Sequence, residues 1–386
     1  MKRNMRKQRI GAALLCCLLL LSGCAAEGPA AEIAQTEAPE TESISRQVVQ
    51  AVPESTEIPE TTEIPETDPP ETTAAPETTE APVDTEAPFF LYLASAAEVE
   101  RGNEFNIHKY ISYVDDLDAE VELSVEGSVD TQTDGAYPLA LTIRDDAGNA
   151  ASASLTVKVV PPGSTAVSYT PLPSKSFAEF AATYEKDGAI AGIDVSKWQG
   201  YIDFRKVAAA GCSFVIIRIG GYYAGELFED PYFAHNLQSA KDAGLQVGIY
   251  WYSEENSAEK VRENADYLYG LLGGAELDFP IFFDWEDYVD LEDYRMSLRD
   301  LNEMFLAFRE EAEARGYRAA LYNSKNMLDI LWNDEVKGDG VWLAHYIDAT
   351  NYQGKYFLWQ QGLGWIDGIV GNVDVDVLYP DAMPEN

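Results

Sequence analysis

The chain has 386 residues, 66 acidic against 27 basic side chains, a formal net charge of −39, three histidines and four cysteines. So acidic a polymer repels nucleic acid and anionic lipid at long range. The sequence also lacks H-E-x-x-H, G-x-x-x-x-G-K-[ST] and G-x-S-x-G, which removes several common metal, nucleotide and serine enzymes. A neutral or mixed-charge polymer fits such a surface better than nucleic acid does.

At the amino terminus, Lys2, Arg3, Arg6, Lys7 and Arg9 precede an apolar stretch from Ile10 to Leu21. That stretch is too short to cross about 30 Å of hydrocarbon at about 1.5 Å per residue, and it reads as a signal peptide over residues 1–23. Leu21-Ser22-Gly23-Cys24 resembles the lipobox of bacterial lipoproteins. The resemblance implies lipidation at Cys24 and anchoring on the extracytoplasmic face of the cell membrane. Cys16 and Cys17 would leave with the peptide, so Cys212 remains as a buried packing residue and no disulfide framework forms. Residues 24–87 then carry the repeat Thr-Glu-Ile-Pro-Glu at 56–60 and 62–66, and from Ala25 to Ala87 there are 9 Pro, 14 Glu and no aromatic residue. Like-charge repulsion and proline predict an extended, disordered tether.

Residues 88–162 change character. Phe89 to Leu93, Val121 to Val125, Leu139 to Ile143 and Leu155 to Val159 alternate apolar and other residues at period two, with a hairpin turn at Asp145-Asp146-Ala147-Gly148-Asn149. Short strands and turn clusters predict a small all-β sandwich. The pattern, with Val99-Glu100-Arg101-Gly102 and the final turn, resembles bacterial Ig-like domains that serve as spacers in surface proteins. Asp115, Asp116 and Asp118 read as an acidic solvated loop, with a calcium site as the competing reading. Residues 163–188 read as a linker.

From residue 189 to 382, eight strand-like runs alternate with helix-like segments: Ile190 to Ser196, Cys212 to Gly220, Gln246 to Ser253, Pro280 to Glu286, Ala319 to Ser324, Val341 to Tyr346, Tyr356 to Gln361 and Val373 to Tyr379. The first five are separated by amphipathic stretches such as Asp230 to Gly244 and Ser257 to Leu272, whereas the last three follow with little or no helix. This α/β pattern predicts an irregular β/α barrel of five βα units plus three further strands. Polar residues at the carboxyl ends of barrel strands converge on one rim. Asp194 closes the first run, Asp284 and Glu286 close the fourth, and Asp374 opens the last, with Asp376 on the same face as Asp374. Any one such acid has an ordinary reading as a helix cap. Four at one mouth suit glycoside hydrolysis, where one carboxyl protonates the leaving oxygen and another stabilises or captures the oxocarbenium-like centre. Crowding raises the pKa of at least one of them. Tyr250, Trp251, Tyr252, Tyr322, Trp342, Tyr346 and Trp359 near the strand ends supply flat faces for sugar rings, about half of them reaching ligand and the rest core.

Gly192-Ile193-Asp194-Val195-Ser196, Trp198-Gln199-Gly200, Phe282-x-Asp284-x-Glu286, Trp342-Leu343-Ala344-x-Tyr346, Trp359-Gln360 and Gly371-x-Val373-Asp374-Val375-Asp376 together resemble a lysozyme of glycoside hydrolase family 25. The resemblance spans about 190–380 and implies an N-acetylmuramidase that cuts the β-1,4 bond between N-acetylmuramic acid and N-acetylglucosamine in the peptidoglycan of the cell wall, with retention. Under it Glu286 matches the proton donor, and Asp284 the partner that attacks the sugar or steadies the substrate's acetamido group. Asp194 and Asp374 match carboxylates that orient substrate and tune the pair. Tyr250, Trp251, Tyr322, Trp342, Tyr346, Trp359 and Asp376 are the substrate-binding candidates. The chain departs from the family branch at Tyr252-Ser253-Glu254-Glu255 and Gln361-Gly362-Leu363-Gly364, both near the rim. No cofactor and no metal is called for, and a monomer is expected. Two other readings compete: a catalytically silent, wall-binding lipoprotein, and a barrel hydrolase of chitin-like polymers, whose D-x-x-D-x-D-x-E strand is not met.

Overall fold

The computed structural model describes residues 84–165, 173–185, 188–286 and 291–384. The expected signal peptide, Cys24 and nearly all of the tether lie outside the described residues.

The first module is a small β-sandwich. One sheet pairs β1 (Phe89–Leu93) with β3 (Ile111–Val114), and the other runs β2 (Ala97–Glu100), β6 (Ala150–Val160), β5 (Gly135–Arg144), β4 (Glu122–Glu126). Alternation explains the sheet faces: Leu139, Leu141 and Ile143 of β5 and Leu155, Val157 and Val159 of β6 all turn inward, while their neighbours face out. The β5–β6 hairpin closes where the sequence places it. Asp145 Oδ1 accepts the Asn149 N–H at 2.7 Å, and Gly148 sits at a φ of 94°. Strand β3, with all four residues buried, has no alternation to betray it because its far side packs on the second module.

That second module closes eight strands into a barrel-like sheet: β8 (Ile190–Val195), β9 (Phe214–Tyr223), β11 (Gln246–Ser253), β12 (Ile281–Trp285), β13 (Ala319–Ser324), β14 (Val341–Ala344), β15 (Leu358–Trp365) and β16 (Val373–Leu378), with β8 pairing β9 to complete the circuit. β7 (Ser174–Ser176) adds to β15, and β10 (Glu226–Glu229) folds back on β9. Neighbours from β8 through β15 run parallel, but β16 is antiparallel to both β15 and β8. The reversal places the start of β16, and hence Asp374, at the rim where the parallel strands end.

Alternation sorts the barrel into two cores. Phe214, Ile216, Phe282, Tyr322, Trp342 and Leu358 fill the interior. Phe283 and Trp285, one residue out of phase with Phe282, join the larger outer core under the helices. Four helices bear on that layer: α1 (Phe177–Tyr184), α2 (Phe204–Ala209), α3 (Phe233–Asp242) and α4 (Ala258–Leu272). After β12 come the short α5 (Leu291–Tyr294) and then α6 (Leu298–Glu313). Helix α6 starts on a capping box between Ser297 and Asp300, and buries Leu301, Met304, Phe305, Phe308 and Ala312 at helical spacing. Its Phe308 ring lies 5.0 Å from that of Phe283. Residues read from sequence as linker carry β7 and α1, where Ser176 and Glu179 form another capping box and Phe177 and Phe180 are buried. Cys212 is a free, buried thiol, as its apolar flank suggests, and burial pushes it up to about 12.

Candidate active site

The four acids come together at the carboxyl end of the barrel. Asp374 is the direct register partner of Asp194 across β16 and β8, and Asp376 that of Gly192, so all three side chains share the inner face. Gly192 is required there: a Cβ would lie 2.5 Å from the Phe214 ring. Asp284 sits between Tyr252 of β11 and Tyr322 of β13, and Glu286 follows the end of β12, half-buried. Trp285, the residue between these two acids, is held at both its carbonyl and its indole by groups outside the barrel interior. Asn323 Nδ2 donates to Trp285 O at 2.7 Å, and Trp285 Nε1 donates to Glu255 O at 3.1 Å.

One glutamine ties the cluster together. Gln360 Nε2 donates to Asp194 Oδ2 at 2.8 Å, while Gln360 Oε1 accepts the Tyr322 hydroxyl at 2.9 Å and has the Tyr346 hydroxyl 3.2 Å away. Tyr346 also donates to Asp374 Oδ1 at 2.7 Å, and Trp342 Nε1 donates to Asp376 Oδ1 at 2.8 Å. On the opposite wall Arg218 Nε donates to Asp230 Oδ2 at 2.8 Å, which also accepts the Lys197 N–H.

Burial dominates the electrostatics. It pushes Glu286 up to about 7, with the charge of Asp374 adding to it. Asp374 rises to about 6 through burial, opposed by the Tyr346 hydrogen bond. Asp194 is raised by burial and then by the charges of Asp374 and Asp376. Asp284 is raised by burial and then by Glu286, while the Arg218 charge pulls it back down. Asp284 Oδ1 has no hydrogen-bond partner among the described residues, leaving a buried acceptor free at the mouth.

The aromatic candidates divide by strand phase. Tyr250, Tyr322 and Tyr346 face the cluster, and Trp342, 1% exposed, lies beneath it. Trp251 and Trp359 do not join them: both point into the outer core, where Trp251 Nε1 donates to Glu255 Oε1 and Trp359 Nε1 to His345 O. Each is flanked by inward residues, Tyr250 and Tyr252 for one and Leu358 and Gln360 for the other, so strict alternation turns the indole outward. Sequence reasoning gave no role to Gln360, although the Trp-Gln pair marks it, or to Trp198, an exposed indole directly after Asp194's strand.

A barrel whose rim gathers paired carboxyl groups, one of them raised to near neutrality, has the groups that glycoside hydrolysis requires. The profile of "Glycosyl hydrolases family 25" matches residues 193–365, and that of "Bacterial surface protein, Ig-like domain" matches 94–159. The chain is 30% identical to the "Uncharacterized protein YegX" of Escherichia coli O157:H7 over 53% of its own length and 74% of that protein. It is 26% identical to the "Autolytic lysozyme" of Clostridium acetobutylicum, over 48% of this chain and 54% of the relative. Against the crystal structure of a bacterial lysozyme from Streptomyces coelicolor the identity is 26% and the TM-score 0.42, covering 49% of this chain and 91% of the other. The chain belongs to glycosyl hydrolase family 25, and its barrel is joined to an Ig-like domain.

Proposed function

We propose that this chain is a lysozyme that hydrolyses the β-1,4 bond between N-acetylmuramic acid and N-acetylglucosamine in peptidoglycan. The observation that carries the reading is Glu286: half-buried at the mouth, beside Asp284 and Asp374, its carboxyl stands at about 7 and so keeps a substantial protonated fraction near neutral pH. Glu286 gives its proton to the glycosidic oxygen as the bond to the muramic acid C1 breaks. Asp284 attacks that carbon, or holds the acetamido N–H while the acetamido oxygen does so; its unpartnered buried Oδ1 suits either task. Glu286, now ionised, takes a proton from the water that completes hydrolysis. Asp194 and Asp374 orient substrate and tune the pair, and Tyr250, Tyr322 and Tyr346 line its path, with Asp376 and Trp342 supporting from below.

The catalytic domain in this reading spans 189–382, with five βα units plus three further strands, behind an Ig-like spacer at 88–162. Cys24 carries the lipid anchor and residues 24–87 the reach, so a monomeric enzyme acts in the wall from the extracytoplasmic membrane face. Turbidity clearing of purified walls by wild type and Glu286→Gln tests the assignment. A loss of at least about 100-fold supports it, and activity retained within about tenfold contradicts it.

A further inference from the structure

We propose that Asp84, Asp115 and Asp118 form a divalent-cation site of calcium type where the Ig-like domain meets the barrel. Their ligand atoms all lie within 4.8 Å of one another. Asp115 is wholly buried: its Oδ1 accepts the N–H groups of Leu117 at 2.9 Å and Asp118 at 2.8 Å, while its Oδ2 has no partner among the described residues. Asp84 Oδ2 is likewise buried and unpartnered. Two buried carboxylate oxygens beside a third carboxylate are costly unless a cation compensates them. The arginines of this region are committed elsewhere, Arg295 to Glu120 at 3.3 Å and Arg299 to Leu117 O at 3.3 Å.

The donor chemistry narrows the ion. Only oxygen is offered, which favours calcium or magnesium over zinc or copper. The carboxylates come from two separate segments, an arrangement that suits the adaptable shell of six to eight oxygens around calcium better than the strict octahedron of magnesium. A cavity of about 260 Å³, lined in part by Asp115, Asp118, Glu120, Arg295 and Met296, has room for waters to complete that shell. From sequence alone the acids to consider were Asp115, Asp116 and Asp118; the fold replaces Asp116 with Asp84.

The site has a structural consequence. The carbonyls of Asp115 and Asp116 accept the N–H groups of Leu298 at 2.9 Å and Arg299 at 3.0 Å, the first two residues of α6. A cation that fixes this loop also fixes the cap of the helix that follows the acid-bearing strand β12.

The test uses the full chain in mild detergent, stripped with EGTA and titrated with Tb³⁺ under tyrosine excitation, Tyr113 lying on the cavity wall. The site predicts one saturable Tb³⁺ per chain, displaced by Ca²⁺ with a dissociation constant on the order of 10⁻⁴ to 10⁻³ M and much less readily by Mg²⁺. Asp115→Asn, which keeps the Oδ1 acceptor, and Asp84→Asn should each weaken Ca²⁺ by roughly tenfold or more. Asp266→Asn, at a side chain 95% exposed, should leave it unchanged. In EGTA, Asp115→Asn should melt no lower than wild type, because a repelling charge is gone, and in Ca²⁺ wild type should overtake it. Calcium binding weaker than about 10 mM, equal affinity for Mg²⁺, or wild-type affinity in both Asp84→Asn and Asp115→Asn would overturn the proposal.

Discussion

Replacing Glu286 with glutamine should inactivate the enzyme and stabilise it, with a pH dependence that follows from the site. Burial, then the charge of Asp374, lift this carboxyl from 4.5 to about 7. Between those values the folded chain holds a proton that the unfolded chain has released. Stability therefore falls as pH rises through this window, by about 3 kcal/mol in total at about 1.4 kcal/mol per tenfold change. Glutamine cannot ionise, so the variant escapes the loss. Urea unfolding of both proteins near pH 4 and near pH 8 reads the effect. The two should differ little at the lower pH, and the variant should gain up to about 3 kcal/mol at the higher. A gain that is the same at both values, or a wild type that is the more stable at pH 8, would refute the reasoning. Such a gain would mark the mouth as a place where stability is given up for chemistry.

Asp374→Asn removes the second cause of the rise at Glu286, so the alkaline limb of kcat/KM should move to lower pH by about one unit or less; an unmoved limb counts against the coupling. Gln360→Ala leaves Asp194 and two tyrosine hydroxyls without a shared partner, and kcat/KM on soluble wall fragments should drop roughly ten- to 100-fold at preserved circular dichroism, a result that unchanged turnover would contradict. Gly192→Ala drives a methyl to 2.5 Å from the Phe214 ring and should cost about 1–3 kcal/mol in urea unfolding, relieved in part by Phe214→Leu.

Much of the barrel was legible because its strands are buried on both faces and read as apolar runs, and because each acid sits where a run begins or ends. Strand direction was not legible. Asp374 opens its run, and only the antiparallel course of β16 brings it to the mouth beside Asp194. The aromatic candidates were chosen by nearness to strand ends, and side-chain phase then separated Tyr250 from Trp251 and sent Trp359 outward. Gln360 entered only as part of the Trp-Gln motif, without a role, because a neutral amide carries no titratable signature, although it contacts three site residues. Strand β3 and the Asp84 contact were hidden for a different reason: both depend on surfaces that exist only when distant segments pack together.

The most direct test of the central claim is to digest purified peptidoglycan with the protein, reduce the products with borohydride and identify the new sugar end by mass spectrometry. Reduced N-acetylmuramic acid is the result the proposed lysozyme activity predicts. Reduced N-acetylglucosamine, or no released fragment, would contradict it.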